Sequence, residues 1–336
     1  MPSTFVLPAA STDGSFHGAL LVAVLVFLGA SSVVTAQQPP RVRTAEARFA
    51  NLKGYPFVPH YADINGLRMH YVDEGQALKG TMLLVHGEPS WSYLYRNLIP
   101  VFVNAGYRVI APDMIGFGKS DKVTDPNWYT LDAHAGQLRG LIERLDLRDI
   151  TLLCQDWGGP YSLVNVADMP GRFARLVIFN TWLHHEGYKY TQAIYDWNGR
   201  SQSVNFMQIG AAPWLTRSPD TAETLQVAYR APFDAPETQV GAFRWPWMLP
   251  FKNPKEGGAE RQARAYALLG QWNKPAHVMF GDQDAIFTVE WGREFAAHIP
   301  GATFDVVPGA SHMVQEVGAP LAEMILVRIA AESARR

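Results

Sequence analysis

From residue 61 onward the apolar positions alternate between short unbroken runs and longer stretches spaced at helical intervals. Two strand-compatible runs within 61–73 flank Asn65-Gly66, the strongest short-range hairpin signal. Unbroken apolar runs at 81–85, 108–111, 150–153 and 176–179 predict buried strands. Helical spacing at 92–105 and 131–145, and helix-compatible sequence from Tyr161, predict the connections between them. The alternation returns near the carboxyl terminus as helix 261–272, strand 277–280, helix 289–298, strand 303–307 and helix 320–331. This order predicts an α/β fold whose mostly parallel central sheet is covered by helices on both faces. Residues 181–257 break the pattern with Trp-, Tyr-, Phe- and Pro-rich sequence and short helical pieces. They are expected to form an inserted helical cap over the carboxyl edge of the sheet, where open α/β folds bind ligands. The expected organisation is a core in two parts, 42–180 and 258–336, interrupted by a cap at 181–257 and preceded by a segment at 1–41.

That leading segment holds an apolar run at 18–36 ending in Val34-Thr35-Ala36, which fits a signal-peptidase site. No Lys or Arg precedes the run and Arg41 and Arg43 follow it, the reverse of a usual signal peptide. A cleaved signal, an uncleaved anchor and an extension outside the mature protein all fit this text. The first is favoured and implies a periplasmic or secreted protein; the others imply a membrane-anchored or cytoplasmic one. Membrane association, on this reading, runs through residues 18–36 alone. A net charge of −2 over 336 residues, without a basic helix or a Lys/Arg run, removes nucleic acid from the expected partners. Cys154 is the single cysteine, so neither an intrachain disulfide nor a cysteine-based metal site is expected, and the chain is expected to act as a monomer.

The chemistry concentrates where the strand at 150–153 runs into Cys154-Gln155-Asp156-Trp157-Gly158-Gly159. A strand, a sharp turn between small residues and a helix make a nucleophile elbow, here with a carboxylate in place of the usual serine. A carboxylate is nucleophilic at neutral pH without a base, and its attack leaves an ester whose carbonyl belongs to the protein. Turnover of that ester needs a base, an acid to hold the base, and donors for the oxyanion. His312 follows the last predicted strand and Asp284 the strand before it. The order nucleophile, acid, base resembles that of the α/β-hydrolase fold. His86-Gly87-Glu88-Pro89 follows the strand at 81–85, where that fold supplies one oxyanion N–H; the expected donors are the Glu88 and Trp157 backbone N–H groups. Asp282 reads as a turn residue.

From residue 42 to about 331 the chain resembles the haloalkane dehalogenases, specifically the subfamily with an Asp-His-Asp triad and two halide-binding tryptophans. The resemblance rests on HGEPSWSYLYR at 86–96, DMIGFGKSDK at 113–122, CQDWGG at 154–159 and SHMVQE at 311–316. It implies Asp156 as nucleophile, His312 as base and Asp284 as the acid partner; Asn180 stands where another subfamily keeps its acid. It also implies halide binding by two indoles. Indole is a donor-only group with an apolar body, suited to a large anion in a dry pocket. Trp157 is the first, and Trp197, in a stretch similar to the family's W-R-x-F-S-Q-S, is the second. Trp182, Trp214, Trp245 and Trp247 also lie in the cap region. The implied reaction converts a haloalkane and water into an alcohol, halide and a proton through an alkyl-Asp156 ester, with no metal or cofactor.

An epoxide hydrolase with the same triad is the alternative, and would need a cap tyrosine such as Tyr188, Tyr190, Tyr195 or Tyr229 as proton donor. A non-catalytic binding protein on the same fold is a second. A serine esterase is excluded at this elbow. Gly118-Lys119-Ser120 mimics part of a phosphate loop, but Asp113 stands at the first glycine position. His184-His185-Glu186 lacks metal-ligand spacing on a helix.

Overall fold

The computed structural model describes residues 38–203, 205 and 217–333. The apolar run 18–36 and Trp214 lie outside them. Among the described residues no helix is long and apolar enough to cross a membrane.

Among the described residues eight strands form the central sheet: β1 (His60–Ile64), β2 (Leu67–Glu74), β3 (Thr81–Val85), β4 (Arg108–Pro112), β5 (Ile150–Cys154), β6 (Phe173–Ile178), β7 (Ala276–Gly281) and β8 (Thr303–Val307). Their order across the sheet is β8-β7-β6-β5-β3-β4-β2-β1. Pairing is parallel from β8 to β4, and β2 and β1 add an antiparallel edge. The hairpin joining β1 to β2 turns on Asn65 and Gly66, with φ of 52° and 79°. Positive φ at both central residues is the type I′ geometry that matches strand twist, which is why Asn-Gly is legible there. Every residue of β3 and β5 is buried, as expected for strands covered on both faces.

Helices α2 (Leu131–Arg144), α3 (Gly158–Asp168) and α7 (Ala259–Leu269) pack together as one layer, and α1 (Ile99–Asn104) packs against α9 (Ala319–Ser333). The Thr130 hydroxyl accepts the Ala133 N–H at 3.1 Å and starts α2 where the helical spacing begins. The stretch 92–105, expected as one helix, is a 3₁₀ turn at Ser92–Tyr95 followed by α1. Pro100 sits in the first turn of α1, where its missing N–H costs no helical bond, so the helix restarts there. Helix α3 begins three residues before Tyr161, directly at the elbow.

Between β6 and α7 the chain forms α4 (Gln192–Arg200), α5 (Ala222–Arg230) and α6 (Val240–Trp247). We propose 181–257 as the extent of this cap. It is tied to the core at Trp91, whose indole N–H donates to Ala228 O at 3.1 Å, and at Arg96, which pairs with Asp220 at 2.8 Å. Helix α8 (Val289–His298) completes the core between β7 and β8.

Candidate active site

Strand β5 delivers the chain to Gln155, Asp156 and Trp157, and α3 carries it away. Asp156 sits at φ 51°, in the left-handed region that residues other than glycine, asparagine and aspartate seldom adopt. The turn also needs glycine beside it. A Cβ on Gly158 would lie 2.4 Å from Val85 O, and one on Gly87 would lie 2.3 Å from Asp156 Oδ1. The Asp156 N–H donates to Asn180 O at 2.8 Å and its carbonyl accepts the Thr181 hydroxyl at 2.6 Å. The backbone is pinned on both sides while the carboxylate stands at the end of the sheet.

His312, after β8, places Nε2 3.5 Å from Asp156 Oδ2 and Nδ1 2.9 Å from Asp284 Oδ2. The other Asp284 oxygen accepts the N–H groups of Ile286 at 2.8 Å and Phe287 at 3.2 Å, so the carboxylate cannot swing away. Asp282 accepts the Gly309 N–H at 2.8 Å and braces the turn. Asn180 ties β6 to β7, accepting the Gly281 N–H at 2.8 Å and donating to Phe287 O at 3.2 Å. The Glu88 N–H donates to Asp156 Oδ1 at 2.8 Å.

The electrostatics follow from this crowding. Burial disfavours charge on His312, but the Asp284 and Asp156 carboxylates outweigh it and hold the imidazole up at about 10. The Glu88 carboxyl is driven the same way by burial first and by Asp156 second, well above the usual carboxylate range, with His312 opposing. Burial and Asp156 together favour the neutral acid of Glu88, and its Oε1 is buried with no hydrogen-bond partner among the described residues.

Glu88, Asp156, Trp157, Trp182, Trp197 and His312 line one cavity. Ile194, Pro246, Leu249, Ile286 and Phe287 complete its apolar wall. The space open to the centre of a water molecule is about 20 Å³, little more than the ~10–15 Å³ that one water needs. Trp182 stacks on Phe287 at 4.9 Å and meets Trp157 edge-on at 4.8 Å. Trp245 packs behind Trp157 at 4.5 Å and does not line the cavity. Among the described residues no tyrosine lines it: the Tyr190 hydroxyl meets His184 Nδ1 at 2.9 Å and the Tyr229 hydroxyl donates to Glu316. Asp113 organises its own loop, pairing with His70 at 2.7 Å and accepting the Ser92 and Lys119 N–H groups at 2.8 Å. His185 stacks on Tyr266 at 3.8 Å.

Five of the six expected site residues thus share one cavity, and Asp284 stands directly behind His312. Sequence reasoning missed the walls and Gln155. Ile286 and Phe287 follow Asp284 in the loop after β7, a signal that could have found them. Nothing in the sequence marks Pro246 or Leu249.

The profile of a family described as "alpha/beta hydrolase fold" matches residues 80–319. A haloalkane dehalogenase from Psychrobacter cryohalolentis is 37% identical over 283 residues, which cover 82% of this chain and 93% of that one. A cis-3-alkyl-4-alkyloxetan-2-one decarboxylase from Shewanella oneidensis is 30% identical over 273 residues, 78% of this chain and 84% of that one. Among solved structures, a haloalkane dehalogenase from Paraglaciecola agarilytica, described as tetrameric, superposes with a TM-score of 0.77 at 35% identity, covering 86% of this chain and 98% of that one. The chain belongs to the haloalkane dehalogenase family of α/β-hydrolase-fold proteins.

Proposed function

We propose that this protein hydrolyses small haloalkanes through a covalent ester on Asp156. The observation that carries the reading is the convergence of a carboxylate elbow, a histidine backed by a second carboxylate, and indole side chains on one small apolar cavity. A carboxylate oxygen of Asp156 attacks the halogen-bearing carbon as the carbon–halogen bond breaks. Trp157 and Trp197 donate their indole N–H groups to the departing halide, replacing water that the apolar walls exclude. Water then attacks the ester carbonyl carbon, giving a proton to His312 Nε2, while Asp284 holds Nδ1 and stabilises the imidazolium. The Glu88 and Trp157 N–H groups serve the oxyanion. Collapse expels the alkoxide, which takes the proton from His312. The acid left on Asp156 returns its own proton to the histidine, and the starting state is restored.

The test is the intact mass of a His312→Ala variant soaked with 1-bromobutane. The expected result is one butyl adduct on Asp156 and one bromide released per chain. Turnover of epoxides without a haloalkane adduct would move the reading to an epoxide hydrolase, which the absence of a lining tyrosine among the described residues disfavours. Ligand binding without chemistry would leave a binding protein.

Among the described residues the exposed large apolar side chains, such as Val58, Leu78 and Val327, are few and ordinary for a monomer surface. We propose a monomer; a tetramer in sedimentation velocity, as described for the Paraglaciecola relative, would overturn that.

A further inference from the structure

Gln155 lies between β5 and Asp156 and is 1% exposed. Its amide nitrogen donates to His312 O at 3.0 Å and lies 3.1 Å from Nε2 of the same histidine. The first contact fixes the amide orientation, because the amide oxygen cannot face a carbonyl oxygen. The second N–H is then the one presented to Nε2, the ring atom that faces Asp156. Nε2 can receive an N–H only through a lone pair, which exists only in the neutral ring.

We propose that Gln155 is a positioning residue that sets the basicity of His312, its amide N–H binding the Nε2 lone pair and favouring neutral imidazole once Asp156 is alkylated. The inference rests on the hydrolytic reading above. Among the described residues three ionisable groups face the ring: Asp156 from the elbow, Asp284 from the loop after β7, and Glu88 from the loop after β3. The two aspartates favour imidazolium in the free protein, while burial and Asp156 favour the neutral acid of Glu88. Alkylation turns Asp156 into a neutral ester, leaving Asp284 opposed by the Gln155 amide. The ring then loses its proton and can take one from water. As that proton reaches Nε2, the amide gives up the lone pair and keeps its hold on the His312 carbonyl. Gln155 thus holds the ring by its backbone and discourages premature protonation through the same nitrogen.

The experiment follows hydrolysis of the preformed butyl ester against pH in the full-length wild type, Gln155→Leu and Gln155→Glu. Bromide release in the same samples measures alkylation. Removing one hydrogen bond to the neutral form should raise the pH midpoint of hydrolysis by about one unit, a tenfold change in proton affinity, in Gln155→Leu. Gln155→Glu sets an acceptor against Nε2, so its midpoint should rise further and the ester should accumulate at pH 7. Hydrolysis that slows in Gln155→Leu with the midpoint unmoved would overturn the proposal and leave Gln155 a packing residue, whatever Gln155→Glu does. Gln155→Met, which keeps the length of the side chain without its amide, carries the test if Gln155→Leu does not fold. A wild type that forms no butyl ester refutes the dehalogenase reading itself and is told apart by its missing bromide.

Discussion

The timing of proton release is set by the distance between His312 and Asp156. In the free protein His312 is held up at about 10, so at pH 8 it carries a proton. Its Nε2 lies 3.5 Å from Asp156 Oδ2. At an effective dielectric constant of about 20, opposite charges at that separation interact by roughly 5 kcal/mol, a factor of several thousand in proton affinity. Alkylation makes Asp156 neutral and removes that attraction. The imidazole then loses proton affinity by that factor, with Asp284 still at Nδ1, and at pH 8 it is expected to lose its proton to solvent. The proton that balances the overall reaction therefore leaves with the halide. Ester hydrolysis, which regenerates imidazolium and carboxylate together, releases none.

A single-turnover experiment with protein in excess over 1-bromobutane, in weak buffer with a pH indicator at pH 8, resolves the order. One proton per bromide should appear in step with bromide and before butanol. His312→Ala should release bromide with no proton, because it has no imidazolium to discharge. A proton that appears in step with butanol would refute the reasoning, since it would mean that His312 is neutral before substrate arrives. The sign extends to steady state. Hydrolysis fades as pH falls through the histidine's value in the ester form, and alkylation does not follow it.

Two further predictions concern the walls of the site and its support. Trp197→Phe and Trp157→Phe each remove an N–H proposed to bind the halide, worth about 1.5–3 kcal/mol, so bromide binding followed by tryptophan fluorescence should weaken by roughly ten- to more than a hundredfold in each. Trp182→Phe, measured alongside, keeps the stacking on Phe287 and should change bromide affinity by less than about threefold; a larger loss there than in Trp197→Phe would reassign the second donor. Arg96 donates to both Glu316 oxygens at 2.8 Å and both side chains are buried. Glu316→Leu leaves that guanidinium charge without its bidentate partner and should cost about 3–5 kcal/mol in urea unfolding, whereas a loss below 1 kcal/mol would show that Asp220 alone satisfies it.

The parts of this protein legible in its sequence are those whose causes are local. The Asn65-Gly66 hairpin and the buried runs of β3 and β5 each follow from a few neighbouring residues and appeared at the expected positions, and Thr130 starts α2 where the helical spacing begins. The restart of α1 was local too; Pro100 announced it, and the helical spacing around it concealed it. Asp156, Asp284 and His312 were legible for another reason: strand ends of a parallel sheet converge on one edge, so chain order maps onto spatial order. What the sequence withheld depends on side-chain direction across long separations. Gln155 and His312 are 157 residues apart, and Arg96 and Glu316 are 220 apart. Gln155 was quoted only as part of a motif, because nothing in Cys154-Gln155-Asp156 says that its amide turns toward a residue on another strand end. The same separation explains why His312 could be placed beside Asp156 and its protonation could not be read. Its residue type suggested an ordinary imidazole, whereas two carboxylates on different loops make it an imidazolium until one of them is consumed by the reaction. On this reading the base need not be neutral before the substrate arrives. The first bond made to Asp156 removes one of the two charges that hold His312 protonated, and the attack that creates the ester also prepares the group that hydrolyses it.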